Sequence, residues 1–142
     1  MALTLCTPPA KVSPLFELGE DEMEMGVGIH GEPGRRREKL ASANAIVDEL
    51  LDAVVSDLPY QQGDDVALMI NGLGGTPISE LYILYGRAHQ QLESRGIHVR
   101  RNYVGEYCTS LDMAGASLTL VKLDDELVDL LSAPAEIAIR TF

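Results

Sequence analysis

The sequence predicts a single α/β domain in which helices flank a layered, mixed β-sheet. Short apolar or alternating runs typical of strands take turns along the chain with longer amphipathic segments typical of helices. The length of 142 residues fits one domain, and a hydrophobic content of 46% is sufficient for one core. Because the chain has no tryptophan and only 2 phenylalanines, aliphatic side chains must fill most of that core.

The beginning of the chain predicts an extended segment, a strand and a glycine loop. Residues 1–19 contain closely spaced prolines, which oppose helix and central strand alike, so we expect an extended leading segment. Residues 22–27 alternate polar and apolar, which predicts a strand with one buried face. Residues 28–34 read Gly-Ile-His-Gly-Glu-Pro-Gly, and this composition predicts a loop with special backbone geometry.

An amphipathic helix and a buried strand are predicted next. Over residues 38–56, apolar residues recur near helical spacing with acidic residues between them. The apolar positions are Leu40, Ala43, Val47, Leu50, Leu51, Val54 and Val55. The continuous apolar run Val66–Ile70 is typical of a strand covered on both faces. Residues 71–76 follow as a second glycine loop.

A second helix is predicted to start at Thr76-Pro77, with the threonine hydroxyl as cap and the proline at the first helical position. Glu80 adds negative charge to the first turn, where the helix dipole favours it. Gly96 is expected to end the helix. The predicted buried stripe comprises Ile78, Leu81, Tyr82, Tyr85, Ala88 and Leu92.

The last part of the chain predicts two strands, a short acidic helix and a final strand. The expected ranges are a strand at 97–104, a long loop at 105–115, a strand at 116–122, a helix at 124–132 and a strand at 136–141. The predicted order is therefore strand, helix, strand, helix, strand, strand, short helix and strand.

The composition excludes several classes of partner. A formal net charge of −11 repels phosphate backbones, so nucleic acid and anionic membranes are poor partners. The two cysteines, Cys6 and Cys108, form no C-x-x-C and are expected to be reduced thiols in a cytoplasmic protein. Neither an apolar run of ~20 residues nor a basic segment before the first apolar residues occurs, so no membrane helix or signal peptide is predicted.

His30 is the leading candidate for chemistry. It lies between glycines directly after a predicted strand, where open α/β sheets bind ligands. Such a histidine can act as a general base, a metal ligand or a nucleophile, or it can be an incidental surface residue of a tight turn. His89 and His98 have no partners at metal-binding spacing, and we expect both at the surface.

Other segments leave alternatives open. Residues 71–76 lack the lysine of a Walker A motif, so they form either an anion-binding turn or a purely structural one. Thr109, Ser110 and Asp112 offer hydroxyls and a carboxylate, for which loop hydrogen bonding is a sufficient role. Residues 35–37 are three arginines, which form either a solvated turn or an anion or partner contact near His30.

Three segments together resemble the substrate-binding subunit of dihydroxyacetone (glycerone) kinases. They are residues 22–34, which contain Gly-Val-Gly-Ile-His-Gly-Glu-Pro-Gly, residues 69–81, which contain Asn-Gly-Leu-Gly-Gly-Thr-Pro, and residues 107–115, which contain Cys-Thr-Ser-Leu-Asp-Met-Ala-Gly. The resemblance runs from about Cys6 to the C-terminus. The histidine-containing motif is highly specific, and its occurrence with the other two makes the family assignment strong.

The resemblance implies a role for His30. In that family the histidine of this motif attacks the ketone carbon of dihydroxyacetone through a ring nitrogen and forms a hemiaminal. A nucleotide-binding subunit, carrying ATP or ADP with Mg²⁺, then transfers a phosphoryl group to a terminal hydroxyl. No cofactor and no metal are expected on this chain itself. The choice between ATP and a phosphotransferase relay as donor stays open, as does the exact ketose.

The chain departs from the family pattern in length. The resemblance implies that residues 1–142 are the C-terminal half of the subunit, without the glycine-rich front half and its second histidine. We therefore expect the isolated chain to be inactive as a kinase, and to pair with a front half or form a homo-oligomer. The alternative function is a non-catalytic, ketone-binding regulatory relative or an inactive fragment.

Overall fold

The computed structural model describes residues 1–5, 13–14, 17–30, 32–111 and 113–134. Within them the chain forms five strands and three helices. In chain order these are β1 (Glu22–Met25), β2 (Arg36–Lys39), α1 (Ala43–Asp57), β3 (Asp65–Gly72), α2 (Ile78–Ser94), β4 (His98–Gly105), β5 (Ala116–Leu123) and α3 (Asp125–Ser132). The predicted class, a mixed sheet flanked by helices, is confirmed.

A three-stranded sheet in the order β4-β3-β5 forms the centre of the domain. The central strand β3 pairs parallel with β4 and antiparallel with β5. Helices α1 and α2 pack against each other, and α2 also contacts β3 and β4. The main core between these elements is aliphatic, as the composition predicted, and includes the fully buried Leu51, Val66, Leu68, Leu81 and Leu92.

The hairpin of β1 and β2 forms a separate two-stranded sheet, and Ala2 connects it to the main body. The Ala2 amide donates to the Glu24 carbonyl oxygen at 2.9 Å, while its own carbonyl oxygen accepts from the Glu24 amide at 3.0 Å. Ala2 also bridges to Gly115, just before β5. This pairing fixes the position of the hairpin relative to the sheet.

Helix α2 ends as the sequence predicts. Gly96 adopts a positive φ of 70°, which favours glycine. Its amide donates to the Glu93 carbonyl at 2.9 Å, and the Ile97 amide donates to the Leu92 carbonyl at 3.0 Å. This is a Schellman motif, and the buried Leu92 and Ile97 supply its usual hydrophobic contact. The chain is thereby turned directly into β4.

The prediction for residues 38–56 was wrong at its start. Residues 36–39 form β2, which the sequence prediction missed because Arg-Arg-Glu-Lys has no apolar residue to give a strand pattern. Helix α1 begins at Ala43, after Ser42 caps it by accepting a hydrogen bond from the Ala45 amide at 3.3 Å. Leu40, assigned to the buried stripe, precedes the helix and is exposed.

Two predictions for α2 were also wrong. Pro77, not Thr76, is the N-cap, and no side chain caps this helix. The Thr76 hydroxyl bonds instead to Gly115, donating to its carbonyl at 2.7 Å and accepting from its amide at 2.9 Å. Ile78 and Tyr82 are about half exposed, so the buried stripe is narrower than predicted.

Some expectations lie outside the described residues. The predicted final strand at 136–141 and much of the predicted leading segment 1–19 fall on residues that the structure does not describe. None of the described helices is long and apolar enough to span a bilayer.

Candidate functional site

Three loops meet at one end of the main sheet. The first connects β1 to β2 and carries His30, the second connects β3 to α2, and the third connects β4 to β5. Because β3 and β4 are parallel, their carboxyl ends lie at the same edge of the sheet, where α/β proteins commonly bind ligands. These loops carry the three segments that the sequence singled out, so segments distant in sequence come together in space.

Asn71, at the end of β3, organises the third loop. Its side chain is almost fully buried. The amide nitrogen Nδ2 donates to the Cys108 carbonyl at 3.0 Å and to Ser117 Oγ at 3.3 Å. The oxygen Oδ1 accepts from the Tyr107 and Cys108 amides at 2.7 and 2.8 Å. One buried side chain thus satisfies several backbone groups that would otherwise be orphaned at the strand end.

The second loop is tied closely to the third. The Gly74 amide donates to Glu106 Oε2 at 2.9 Å, and the Gly75 amide donates to the Met113 carbonyl at 3.0 Å. Because these amides already have partners and a carboxylate lies against the loop, the contacts support the structural reading of residues 71–76 over an anion-binding one.

The His30 loop is held from both sides. Ser110 Oγ donates to the Ile29 carbonyl, which joins the first loop to the third. On the hairpin side, the Gly34 amide donates to Glu24 Oε1 at 2.8 Å, and the carboxylate of Glu24 is buried. The Arg35 amide donates to the Met25 carbonyl at 2.7 Å. The loop that carries His30 therefore has a defined position on the sheet edge.

The histidine ring itself is open to solvent. The His30 side chain is 80% exposed, and its Nδ1 lies 3.1 Å from Glu32 Oε1. The second oxygen, Glu32 Oε2, accepts from the His30 backbone amide at 3.0 Å. No residue in the described parts of the chain forms a hydrogen bond with Nε2. One ring nitrogen is thus engaged by a carboxylate, while the other faces outward.

Glu32 is held as a carboxylate by its hydrogen bonds. Its pKa lies below the usual range, first because its own backbone amide donates to it and further because the ring and backbone amide of His30 do so, while partial desolvation acts in the opposite direction. An ionised carboxylate only accepts hydrogen bonds, so the proton between Glu32 and the imidazole belongs to the ring.

Two of the three arginines at residues 35–37 form ion pairs with acidic residues of the hairpin and α1. Arg36 pairs with Glu49 at 2.5 Å and with Glu38 at 3.3 Å. Arg37 Nε lies 3.5 Å from Glu24 Oε2. These contacts hold β2 against its neighbours, which favours a structural role for both side chains.

The remaining candidates lie elsewhere or act in loop packing. His98 is exposed at the amino end of β4, with Nδ1 3.5 Å from Glu93, and His89 is half-buried beside Tyr85. Thr109 Oγ1 donates to the Leu73 carbonyl at 3.1 Å. Asp112 is outside the described residues, among which no group of histidine, cysteine and acidic side chains could hold a metal ion.

An apolar cleft of about 250 Å³ lies beside the site, lined in part by Leu40, Ile46, Ile83 and Leu84. His30 is not among its lining residues. The cleft is therefore separate from the imidazole of His30.

Sequence reasoning missed Asn71, Glu24 and Glu32 as parts of the site. Asn71 did carry a signal, because it directly follows an apolar run predicted to be buried, and a buried amide needs several partners. For Glu32, the only signal in the sequence was its position two residues after His30. The contact between the two depends on the loop conformation, which that spacing does not specify.

Comparison with known proteins identifies relatives of this chain. A "PTS-dependent dihydroxyacetone kinase 2, dihydroxyacetone-binding subunit DhaK" of Listeria innocua is 43% identical over 96% of this chain. An "L-erythrulose 1-kinase" of Mycolicibacterium smegmatis is 46% identical over 96% of it. The chain spans 41% of the Listeria subunit and 24% of the Mycolicibacterium enzyme, so it corresponds to part of each.

A solved structure and a family match complete the comparison. The "dihydroxyacetone kinase operon co-activator Dha-DhaQ" superposes with a TM-score of 0.85 at 36% identity, over 94% of this chain and 42% of that one. Residues 1–139 match the Dak1 domain. The chain therefore belongs to the Dak1 domain family, the family of the dihydroxyacetone kinase-type proteins that it resembles in sequence.

Proposed function

We propose that this chain is part of the substrate-binding subunit of a dihydroxyacetone kinase, and that His30 holds the ketone through a reversible covalent bond. One observation carries the proposal. The exposed ring of His30 lies where the three family segments meet, with one nitrogen engaged by Glu32 and the other directed outward. Relatives named for dihydroxyacetone binding and for erythrulose phosphorylation support a small ketose as ligand.

The chemistry suits a neutral imidazole. Its unprotonated nitrogen attacks the electrophilic ketone carbon, forming a C–N bond as the π pair of the carbonyl moves to oxygen. The oxygen takes a proton from solvent, and the ring loses its remaining N–H proton to solvent, so the hemiaminal is neutral. The reaction needs no oxidant or metal and reverses by the same steps.

A covalent bond solves a recognition problem for a small, highly hydrated ligand. Dihydroxyacetone offers few groups for contacts, and a single bond fixes its orientation before phosphoryl transfer. Glycerol has the same carbon chain without a carbonyl, so it has no carbon that the imidazole can attack. Selectivity for the ketone over the alcohol follows from the chemistry of His30 alone.

Phosphoryl transfer requires groups beyond this chain. We propose that a separate nucleotide-binding subunit supplies ATP or ADP with Mg²⁺, and that the remaining part of the substrate-binding subunit completes the site around the hydroxyl that is phosphorylated. The described residues contain no cluster suited to a metal ion. Because the nucleotide and the groups around the phosphorylated hydroxyl would come from outside this chain, we expect the chain by itself to capture ketone without phosphorylating it.

A regulatory function is the second candidate, and one comparison favours it. The co-activator that superposes with a TM-score of 0.85 is named for control of an operon, not for catalysis. A relative of that kind would bind the ketone through His30 and pass the signal to a partner. The curated relatives of 43% and 46% identity are a kinase subunit and a kinase, which keeps the catalytic proposal first.

Carbon NMR on the 142-residue chain tests covalent ketone capture, the step that both candidate functions share. Dihydroxyacetone labelled at the ketone carbon should lose its carbonyl signal on binding and show the signal of a tetrahedral carbon attached to nitrogen. Labelled glycerol should show no such change. If saturating ketone leaves the carbonyl signal unaltered in folded protein, covalent capture by this chain is wrong.

A cognate nucleotide-binding subunit then separates the two candidates. Adding it with the front half of the substrate-binding subunit and ATP, or the phosphotransferase relay, should yield dihydroxyacetone phosphate. Capture without product in that complete mixture favours the regulatory candidate.

A further inference from the structure

Ser110 lies at the point where all three loops meet. It belongs to the third loop, and its backbone amide donates to the carbonyl of Leu73, at the start of the second loop, at 2.8 Å. Its hydroxyl donates to the carbonyl of Ile29 in the first loop. Only 3% of Ser110 is exposed to solvent. One buried serine thus connects the loop that carries His30 to the two loops that extend from the main sheet.

The peptide unit between Ile29 and His30 is held at both of its polar groups. Its carbonyl accepts from Ser110 Oγ, and its amide, the N–H of His30, donates to Glu32 Oε2 at 3.0 Å. Because a peptide unit is planar, two such contacts on opposite sides restrict the orientation of the plane that ends at the Cα of His30. Glu32 belongs to the same loop and moves with it, whereas Ser110 belongs to the main body of the domain. The Ser110 hydroxyl therefore positions His30 relative to the edge of the sheet.

The backbone around Ser110 is itself held in place. The Met113 amide donates to the Ser110 carbonyl at 3.1 Å, and the side chain of Met113 is fully buried. Leu111, the residue after Ser110, has a φ of 48°, a conformation that costs a residue with a side chain free energy and persists where the surrounding structure enforces it. The hydroxyl is thus presented to Ile29 from a fixed turn.

We propose that Ser110 is a positioning residue for ketone capture, because its hydroxyl keeps the first loop in the arrangement in which His30 binds the ketone. This role rests on the proposed function of His30 and deepens it by naming a residue outside the first loop that controls it. Ser110 acts through the Ile29 carbonyl and does not touch the ketone. Without this hydrogen bond the loop populates other positions, and the apparent affinity for ketone falls with the fraction of molecules in the competent one.

Two substitutions at position 110 test this role in the 142-residue chain. Ser110→Ala removes the donor and one oxygen atom without adding a clash, so the chain should remain folded. Ser110→Cys keeps nearly the same shape but offers only a weak S–H donor. With ketone labelled at the carbonyl carbon, Ser110→Ala should lower the equilibrium constant for hemiaminal formation about fivefold, the scale of one hydrogen bond. Ser110→Cys should lower it in the same direction by a smaller factor.

Thr109→Val is the matched control. The Thr109 hydroxyl also donates to a backbone carbonyl in this cluster of loops, that of Leu73 at 3.1 Å, but this contact joins the second loop to the third and leaves the first loop aside. Valine has the shape of threonine without the donor. Capture is expressed per folded molecule, so that a change in stability does not enter the comparison. Thr109→Val should capture ketone as wild type does.

Nitrogen relaxation of the backbone amides supplies a readout that needs no ketone. In Ser110→Ala the amide of His30 should become more mobile than in wild type, while the amides of β3 and α2 keep their order. In Thr109→Val the His30 amide should remain as ordered as in wild type. A general loss of order in Ser110→Ala, including β3 and α2, would show that the serine supports the whole domain and would overturn the positioning role.

The comparison of the variants decides the outcome. If folded Ser110→Ala captures ketone as well as Thr109→Val does, Ser110 has no positioning role, whatever the mobility of the loop. Absence of a hemiaminal in wild type would instead refute the proposed function of His30. The relaxation of the His30 amide would then still show whether Ser110 fixes the first loop, since it is measured without ketone.

Discussion

The helix-covered part of the sheet and its loop end are stabilised in different ways. Under α1 and α2, the core consists of fully buried aliphatic side chains such as Leu68 and Leu81, which have no hydrogen-bonding groups. At the loop end, the buried Asn71 and Glu24 satisfy backbone amides, and Gly34 allows a close backbone approach. Apolar contact is non-directional, whereas these hydrogen bonds specify positions.

Stability and function should therefore depend mainly on different regions of the molecule. Burial of aliphatic surface under the helices provides most of the free energy of folding, but similar side chains could replace one another there. The loop end contributes less apolar burial and depends on individual donors and acceptors. Mutations in the two regions should therefore differ in whether ketone capture is lost through unfolding or in a folded chain.

The largest effect is expected in the core. Leu68 lies on the central strand β3 and is fully buried, so Leu68→Ala should lower the free energy of unfolding by about 2–5 kcal/mol through lost transfer energy and a cavity. Chemical denaturation followed by circular dichroism measures the change. Any loss of ketone capture should follow the unfolded fraction. A loss much larger than that fraction would contradict a purely structural role for the core.

Asn71→Ala should have the next largest effect on the free energy of unfolding. The substitution leaves the Tyr107 and Cys108 amides without their acceptor at the buried strand end. We expect a loss of about 2–3 kcal/mol in the free energy of unfolding, together with increased hydrogen exchange confined to residues 106–111. Exchange that increases equally across β3 and α2 would show that Asn71 supports the core and not the loop.

Gly34→Ala tests the close approach in the hairpin. A Cβ at this position would overlap the Met25 carbonyl and lie 2.9 Å from the Val27 amide nitrogen, both backbone atoms, so the hairpin must shift. We expect about 1–3 kcal/mol of destabilisation and weaker ketone capture.

Gly86→Ala is the matched control for Gly34→Ala. Gly86 lies inside α2, and apart from its chain neighbours and the adjacent helix backbone, an added Cβ there would meet no atom within 4 Å. Because alanine is the better helix former, this change should stabilise the chain by about 0.5–1 kcal/mol and leave capture unaffected. Equal effects of the two changes would contradict a special role for the hairpin backbone.

The smallest effect is expected at a surface contact between the helices. Arg87 of α2 binds Asp48 of α1 through Nε and Nη2, at 2.8 and 2.7 Å. The hydrogen bonds from Arg87 lower the pKa of Asp48 below its usual range. The pair therefore stabilises the fold above the pH where the unfolded chain's aspartate titrates, near ~3.9, and this stabilisation is lost as the pH falls further.

Thermal unfolding of wild type and Asp48→Asn at several pH values measures this contribution. The melting temperatures should differ slightly at neutral pH and converge in acid, because Asp48 is then protonated in wild type as well. The salt dependence should be weak but visible, as for other exposed ion pairs. A difference that persists undiminished below pH ~3 would show that the carboxylate charge is not its cause.

The sequence predicted the elements that have a hydrophobic period. Strands β3, β4 and β5 and helices α2 and α3 lie within a few residues of the expected ranges. Strand β2 was missed because it is held by ion pairs and backbone pairing, which leave no apolar pattern. The prediction that Thr76 caps α2 was wrong because its hydroxyl forms a tertiary contact with Gly115, which a capping rule based on neighbouring residues does not include.

The candidate site was predictable in its segments but not in its contacts. Glycines around His30 indicated a special loop, and the structure places that loop beside the two others. The link from Ser110 to Ile29 joins residues 81 positions apart, and the sequence contains no signal for such a pairing. Contacts of this kind depend on how Ala2 joins the hairpin to the main body of the domain, which is a property of the whole fold.

Loss of the hemiaminal in His30→Ala tests the central claim most directly. The His30 side chain is 80% exposed, so its removal should change the free energy of unfolding by no more than ~0.5 kcal/mol. His98→Ala is the matched control, since His98 is also exposed but lies at the opposite end of β4. With ketone labelled at the carbonyl carbon, we expect the tetrahedral carbon signal in wild type and His98→Ala, and its complete absence in a folded His30→Ala chain. Persistence of that signal in His30→Ala would contradict the account.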